Sequence, residues 1–201
     1  MKGKIILLFF ILLVQLACAQ KSCFDEANAY RQKDHEAEHI SFDTIEAHIS
    51  RARQIVLNCE IPDEPFITLD KKKHLMHQYR GKVLIIDFWS VHCPPCIREI
   101  SSFHSLMQKY GKNLQVLAFT LDTEQELLEF LKKHAFKAEI IPDARAFVGI
   151  YALGAGYPFT LLVDKNGKIV YTKEGAKAEE PGEMDLFNEF SPLIDKALKA
   201  P

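Results

Sequence analysis

The 201-residue sequence has no internal repeat and no low-complexity tract, so neither a solenoid nor a fibrous architecture fits it. Neither sign of charge is in large excess: the formal net charge is -2, which leaves no basic footprint for nucleic acid. The longest apolar run, Ile5 to Val14, falls well short of the about 20 residues a membrane-spanning helix needs. Cysteine is scarce, at five residues, and only one pair is spaced C-x-x-C. A zinc knuckle would need a second such pair, so a structural zinc site lacks half its ligands. What remains is an ordinary globular composition, enough for one domain with an extension and a core that needs no metal to fold.

The first residues stand apart. Lys2 and Lys4 precede the apolar run, and Ala17-Cys18-Ala19 follows it. A basic start, a short apolar stretch and a small-residue site are the parts of a secretory signal peptide, so residues 1–19 are expected to be removed. Cys18 after Ala17 leaves open a lipoprotein anchor, although Gln15 stands where such signals usually carry Leu. Either way the protein is expected outside the cytoplasm, in the periplasm or beyond, with four cysteines left: Cys23, Cys59, Cys93 and Cys96. That compartment permits disulfides. With Cys93 and Cys96 self-contained, Cys23 and Cys59 are expected to form a structural bond, free thiols or an intermolecular crosslink being the alternatives.

Residues 20–60 read as a polar helical extension. Phe42, Ile45, Ile49, Ala52 and Val56 mark one apolar helix face, with Ser41 as N-cap and Asp43 and Glu46 in the first turn. Pro62 and Pro65 then end any helix, and a domain covering 61–201 is expected to begin there. Val83–Phe88 is a continuous apolar run, as a strand covered on both faces requires. Pro95–Tyr110 reads as a helix closed by Gly111, and Leu114–Phe119 as a second buried strand. A helix over about 123–135, a strand at Glu139–Ile141 and a short helix over about 144–151 follow. Phe159–Val163 and Lys168–Thr172 flank the hairpin turn Asp164-Lys-Asn-Gly167, and a helix over about 184–198 closes the chain. The order βαβ, helical insert, ββα predicts an α/β fold with a mixed central sheet flanked by helices.

Cys93-Pro94-Pro95-Cys96 falls where the first strand hands over to its helix. A sulfur there meets the free N–H groups of the first helical turn, which favour a thiolate. Such a thiolate attacks a disulfide, and the second cysteine resolves the mixed disulfide. Proline is tolerated because the first turn has no N–H bonds to lose. Cys93 is assigned as the attacking thiol and Cys96 as the buried, resolving one.

The segment Asp87-Phe-Trp-Ser-Val-His-Cys-Pro-Pro-Cys96 resembles the active-site stretch of thioredoxin-like proteins. Lys82-Val-Leu-Ile-Ile ahead of it, and Gly156-Tyr-Pro-Phe-Thr-Leu-Leu-Val-Asp-Lys-Asn-Gly-Lys168 behind it, resemble the exported TlpA/ResA branch. The resemblance covers about residues 61–200 and omits the extension. It implies a thioredoxin-like fold, dithiol–disulfide exchange without a bound cofactor, and a monomer. It implies disulfide-bearing exported proteins, apocytochrome c among them, as substrates and a membrane electron donor upstream. By the same resemblance Pro158 is the cis-proline opposite the cysteines. Pro158, Tyr157 and Trp89 are expected to form the substrate surface. Asp87 matches the buried carboxylate beneath the second cysteine, able to exchange a proton with Cys96. Glu99 matches an active-site glutamate, one helical turn from Cys96. Two positions depart from the pattern: Ser101 stands where proline is frequent, and His92 where tryptophan is. A protonated His92 would lower the pKa of Cys93; turned to solvent it would do little.

Other signals compete. His35-Glu-Ala-Glu-His39 spells H-E-x-x-H, but in the polar extension and without a third ligand it reads as a solvated helix face. His74 and His77, beside Lys71–Lys73, read as surface. A peroxiredoxin-type peroxidase would use Ser90 and Cys93 in P-x-x-x-[TS]-x-x-C, but Ile86 occupies the proline position. A periplasmic copper chaperone could use Cys93, Cys96 and His92, since thiolates suit Cu(I), although copper-delivery relatives space their cysteines more widely.

Overall fold

A computed structural model describes residues 23–31, 41–175 and 182–200. The expected signal peptide, Cys18 and the H-E-x-x-H segment lie outside the described residues, as do the side chains of Phe42 and Asp43. Among the described residues no helix is long and apolar enough to cross a membrane.

Helix α1 spans 23–31 and α2 spans Phe42–Val56. Ser41 caps α2 as expected, its side chain accepting the Thr44 N–H at 3.3 Å. The apolar face predicted for α2 is buried only at its far end. Ala52 and Val56 are fully enclosed, Ile49 is half-buried, and Ile45 is exposed. Beyond the proline break, β1 (Pro65–Ile67) and β2 (Lys73–Leu75) form an antiparallel pair that the sequence reading did not anticipate. Strands β3 (Val83–Trp89), β4 (Leu114–Thr120), β5 (Glu139–Ile141), β6 (Phe159–Val163) and β7 (Ile169–Glu174) form the central sheet in the order β5-β4-β3-β6-β7. The pairs β3–β4 and β4–β5 are parallel, whereas β3–β6 and β6–β7 are antiparallel, which is the mixed sheet expected. Helices α3 (Pro94–Tyr110), α4 (Glu124–Leu131), α5 (Arg145–Tyr151) and α6 (Gly182–Leu198) complete the chain.

Strand alternation divides the core in two. On one face Val83, Ile85 and Trp89 of β3 join Val116 and Ala118 of β4 under Phe103 and Leu106 of α3 and Phe190 of α6. On the other, Leu84, Ile86 and Phe88 meet Phe119, Phe159, Tyr151 and the extension residues Phe24, Ala27, Ala52 and Val56. Enclosing a side chain such as Phe88 on either face stabilises by ~1.5–3 kcal/mol. The continuous burial of β3 explains a run that is apolar at every position but Asp87.

The extension is therefore part of the second core. Phe24 meets Tyr151 edge-on at 4.8 Å, and Asn28 Nδ2 donates to the Ile150 carbonyl at 3.0 Å. Residues 58–61 run along the start of β7, the Asn58 N–H reaching the Ile169 carbonyl at 2.8 Å. Cys23 and Cys59 are disulfide-bonded, tying α1 to that segment. Arg53 of α2 pairs with Glu174 at the end of β7 at 2.6 Å. The hairpin turn is built as its sequence requires. Asp164 Oδ1 accepts the Asn166 and Lys168 N–H groups at 2.9 Å, and Gly167 takes φ +83°, open to glycine without strain.

His74 is half-buried rather than exposed. Its ring stacks on Phe66 at 5.7 Å, because β2 lays it beside β1. His77 is exposed and pairs with Asp63 at 2.7 Å.

Candidate active site

Cys93 is the N-cap of α3, and Pro94 and Pro95 open the helix where no backbone donor is missed. The Cys96 N–H donates to Cys93 Sγ at 3.3 Å. Cys93 and Cys96 are joined in a disulfide with Cα atoms 5.3 Å apart. Of the two, Cys93 keeps the larger exposure, 8% against 2%. Pro158 lies at the same end of the sheet. The register pairs Phe88 with Phe159, which sets Pro158 beside Trp89, and the Tyr157–Pro158 bond is cis. Tyr157 is half-buried and packs against both cores.

The turn between β3 and α3 is held by a residue the sequence reading missed. Asp122, buried just after β4, accepts the Ser90 hydroxyl at 2.9 Å, the Val91 N–H at 2.7 Å and the Thr120 hydroxyl at 2.7 Å. Ser90 Oγ in turn accepts the His92 N–H at 3.1 Å. Three hydrogen bonds to one buried carboxylate fix the approach of the chain to Cys93. The available signal was Thr-x-Asp at the carboxyl end of a buried strand, the edge where α/β sheets carry their sites.

Asp87 is buried beneath this turn at 1% exposure, with the Thr160 hydroxyl donating to Oδ1 at 3.2 Å. Burial, and then the nearby Glu99 carboxylate, push its pKa well above the usual carboxylate range, with Thr160 opposing. Glu99 is not a surface helix residue: it is 3% exposed, on the face of α3 turned to the sheet. Burial pushes its pKa up to about 7; Lys173 and Arg98 pull it down and Glu189 pushes it up.

One expectation needs correcting, and His92 takes the second of its two readings. Trp89 is fully enclosed, edge-on to Phe130 at 5.5 Å and Phe136 at 5.1 Å. It supports the turn from below and offers no surface to a substrate, because the inward alternation of β3 carries it into the core. His92 turns outward, with its Nε2 3.5 Å from Glu126 and most of its ring in solvent, an arrangement that does little for Cys93.

Known thiol–disulfide oxidoreductases resemble this chain in sequence and fold. The model of the AhpC/TSA family matches residues 57–172. The thiol-disulfide oxidoreductase ResA of Bacillus cereus is 26% identical over 144 residues, covering 70% of this chain and 83% of its own. A putative thioredoxin from Neisseria meningitidis is 28% identical, with a TM-score of 0.56 over 68% of this chain and 87% of its own. A putative thiol:disulfide interchange protein DsbE from Chlorobium tepidum shares the fold, with a TM-score of 0.58 at 23% identity over 69% of this chain and 95% of its own. The chain belongs to the AhpC/TSA family, as a thioredoxin-like thiol–disulfide oxidoreductase.

Proposed function

We propose that the protein is an exported reductase of disulfides in periplasmic proteins, working by dithiol–disulfide exchange at Cys93 and Cys96. The observation that carries this reading is the Cys93 sulfur at the N-terminus of α3, receiving the Cys96 N–H and bonded to Cys96. In the reduced protein the same N–H and the helix dipole stabilise a Cys93 thiolate. That thiolate attacks a substrate disulfide, forming a mixed disulfide and releasing one substrate sulfur as thiolate. Cys96 gives up its proton to the buried carboxylates and attacks Cys93 Sγ. The Cys93–Cys96 bond forms, the second substrate sulfur leaves, and the substrate is reduced by two electrons. An upstream membrane donor restores the dithiol. Export is supported by the signal-peptide pattern of residues 1–19, with lipidation at Cys18 as the alternative route to the envelope. The substrates are exported proteins bearing accessible disulfides, including an apocytochrome c with an oxidised haem-attachment pair.

The thioredoxin-like domain runs over 61–201, and the extension before it, closed on itself by Cys23–Cys59, braces it through the Arg53–Glu174 pair and the Asn58 N–H. The geometry around Cys93 favours neither the peroxidase nor the copper reading. The Ser90 hydroxyl is committed to Asp122, and the His92 ring is beside Glu126. Insulin reduction with dithiothreitol beside a Cu(I) titration tests the choice. Rapid insulin precipitation with only weak copper retention is expected, and tight copper binding without reductase activity would reverse the reading. A Cys93/Cys96 potential more reducing than that of the glutathione couple is expected, and an oxidising potential would reverse the direction.

A further inference from the structure

Lys173 and Glu189 lie outside the cysteine turn, yet the sheet leads to them. The register pairs Asp87 with Thr160, and Thr160 with Lys173, so these three side chains form one lateral row across β3, β6 and β7. Cross-strand neighbours in register share a face, here the face covered by α3 and α6. The row begins at fully buried Asp87 and ends at Lys173, whose Nζ pairs with Glu189 Oε2 of α6 at 2.8 Å. Tyr171, two residues back on the same face of β7, donates its hydroxyl to Glu189 Oε1 at 2.6 Å. Burial, and then Glu189, raise this phenol's pKa to about 12, so it stays a neutral donor. Glu99 is buried on the α3 side of the row, and its Oε2 has no hydrogen-bond partner among the described residues.

The charged groups acting on Glu99 come from every element around it: Asp87 on β3, Arg98 on α3, Lys173 on β7 and Glu189 on α6. Lys173 favours the ionised form of Glu99, whereas Glu189 opposes it. Burial is the largest influence on Glu99, and with Oε2 unpartnered the opposed charges of Lys173 and Glu189 act on top of it.

We propose that Lys173 and Glu189 are positioning residues that set the charge of Glu99, and through Glu99 the readiness of the buried carboxylates to take the Cys96 proton. The two act in opposite senses, one as accelerator and one as brake. In the resolving step the Cys96 S–H bond breaks and its proton passes to a carboxylate. The Cys93–Cys96 bond forms as the Cys93–substrate bond breaks, and the leaving sulfur takes a proton from water. The part concerning Cys96 rests on the proposed dithiol exchange; the part concerning the charge of Glu99 does not.

The test uses Lys173→Met, Glu189→Gln and the conservative Lys173→Arg in the full mature chain. Both positions are partly exposed, and circular dichroism checks that each variant folds. The ionisation of Glu99 is followed in the oxidised protein by carbon NMR of labelled glutamate carboxyls, assigned with Glu99→Gln. Lys173→Met should raise the Glu99 midpoint and Glu189→Gln should lower it, each by about 0.5–1 pH unit given partial solvent screening. Lys173→Arg should leave it near the parent value. The pH profile of insulin reduction should move in the same two directions. Shifts of the same sign, or none, would overturn the proposal, since a merely structural disturbance gives no opposed pair. Opposed NMR shifts with an unmoved rate profile would overturn the link to Cys96. A parent chain that shows the opposed NMR shifts but no exchange activity would sink the proposed function and support the charge assignment.

Discussion

Asp87 and Thr160 face each other across β3 and β6, and the Thr160 hydroxyl is the hydrogen-bond donor to a fully buried carboxyl. One neutral donor does not offset the loss of water around a charge, so Asp87 favours its protonated form. Once its own proton has passed to solvent, the raised pKa makes the Asp87 carboxylate a strong base, able to take the proton of the Cys96 thiol.

Asp87→Asn removes this acceptor with little change of shape. Turnover in insulin reduction should fall several-fold near neutral pH, with a changed pH profile, while the Cys93 reaction with an alkylating agent persists. An unchanged profile would pass the proton to Glu99 or to water.

Glu99 links pH to stability. Its folded pKa, about 7, stands above that of an exposed glutamate, near 4.3, so the folded state binds the proton more tightly. Its contribution is complete below about pH 4 and is lost as pH rises through 7. Glu99→Gln should therefore stabilise the oxidised protein at pH 8, by up to about 3 kcal/mol, and hardly at all at pH 4. Urea unfolding at the two pH values checks this, and a pH-independent change would count against the buried charge.

The bond between Cys23 and Cys59 closes a separation of 36 residues. In the chain-entropy model that stabilises by about 3–4 kcal/mol. Replacing both cysteines by serine should lower the melting temperature and expose Phe24 and Ala27 to faster amide exchange around α1, with insulin reduction retained. Alkylation of the unreduced protein should label neither Cys23 nor Cys59; label on both would leave the extension held by its apolar contacts, hydrogen bonds and the Arg53–Glu174 pair.

The sequence made the central sheet legible where burial is nearly continuous, as in β3 and β4, because a two-face strand leaves a run that is apolar but for Asp87 in one and Gln115 and Thr120 in the other. It made α3 legible through its spacing, prolines and Gly111. The pair β1–β2 was hidden: strands of three residues are too short to show a period, and Lys71–Lys73 looked like plain surface. Cys93 and Cys96 stood out by spacing. Trp89 was misplaced because a motif gives the residue but not the face of the strand it occupies. Asp122 and Lys173 were missed for a related reason. Their partners, Val91 and Thr160, are far off in sequence, and only the register of the folded sheet brings them together.

The central claim is that Cys93 attacks and Cys96 resolves. The most direct measurement is trapping with a disulfide-bearing exported protein, comparing Cys96→Ala with Cys93→Ala on non-reducing gels and by mass spectrometry of the linked peptides. Cys96→Ala should accumulate a mixed disulfide through Cys93 Sγ, and Cys93→Ala should accumulate none. Accumulation through Cys96 in the Cys93→Ala protein, with none in the other, would contradict the account.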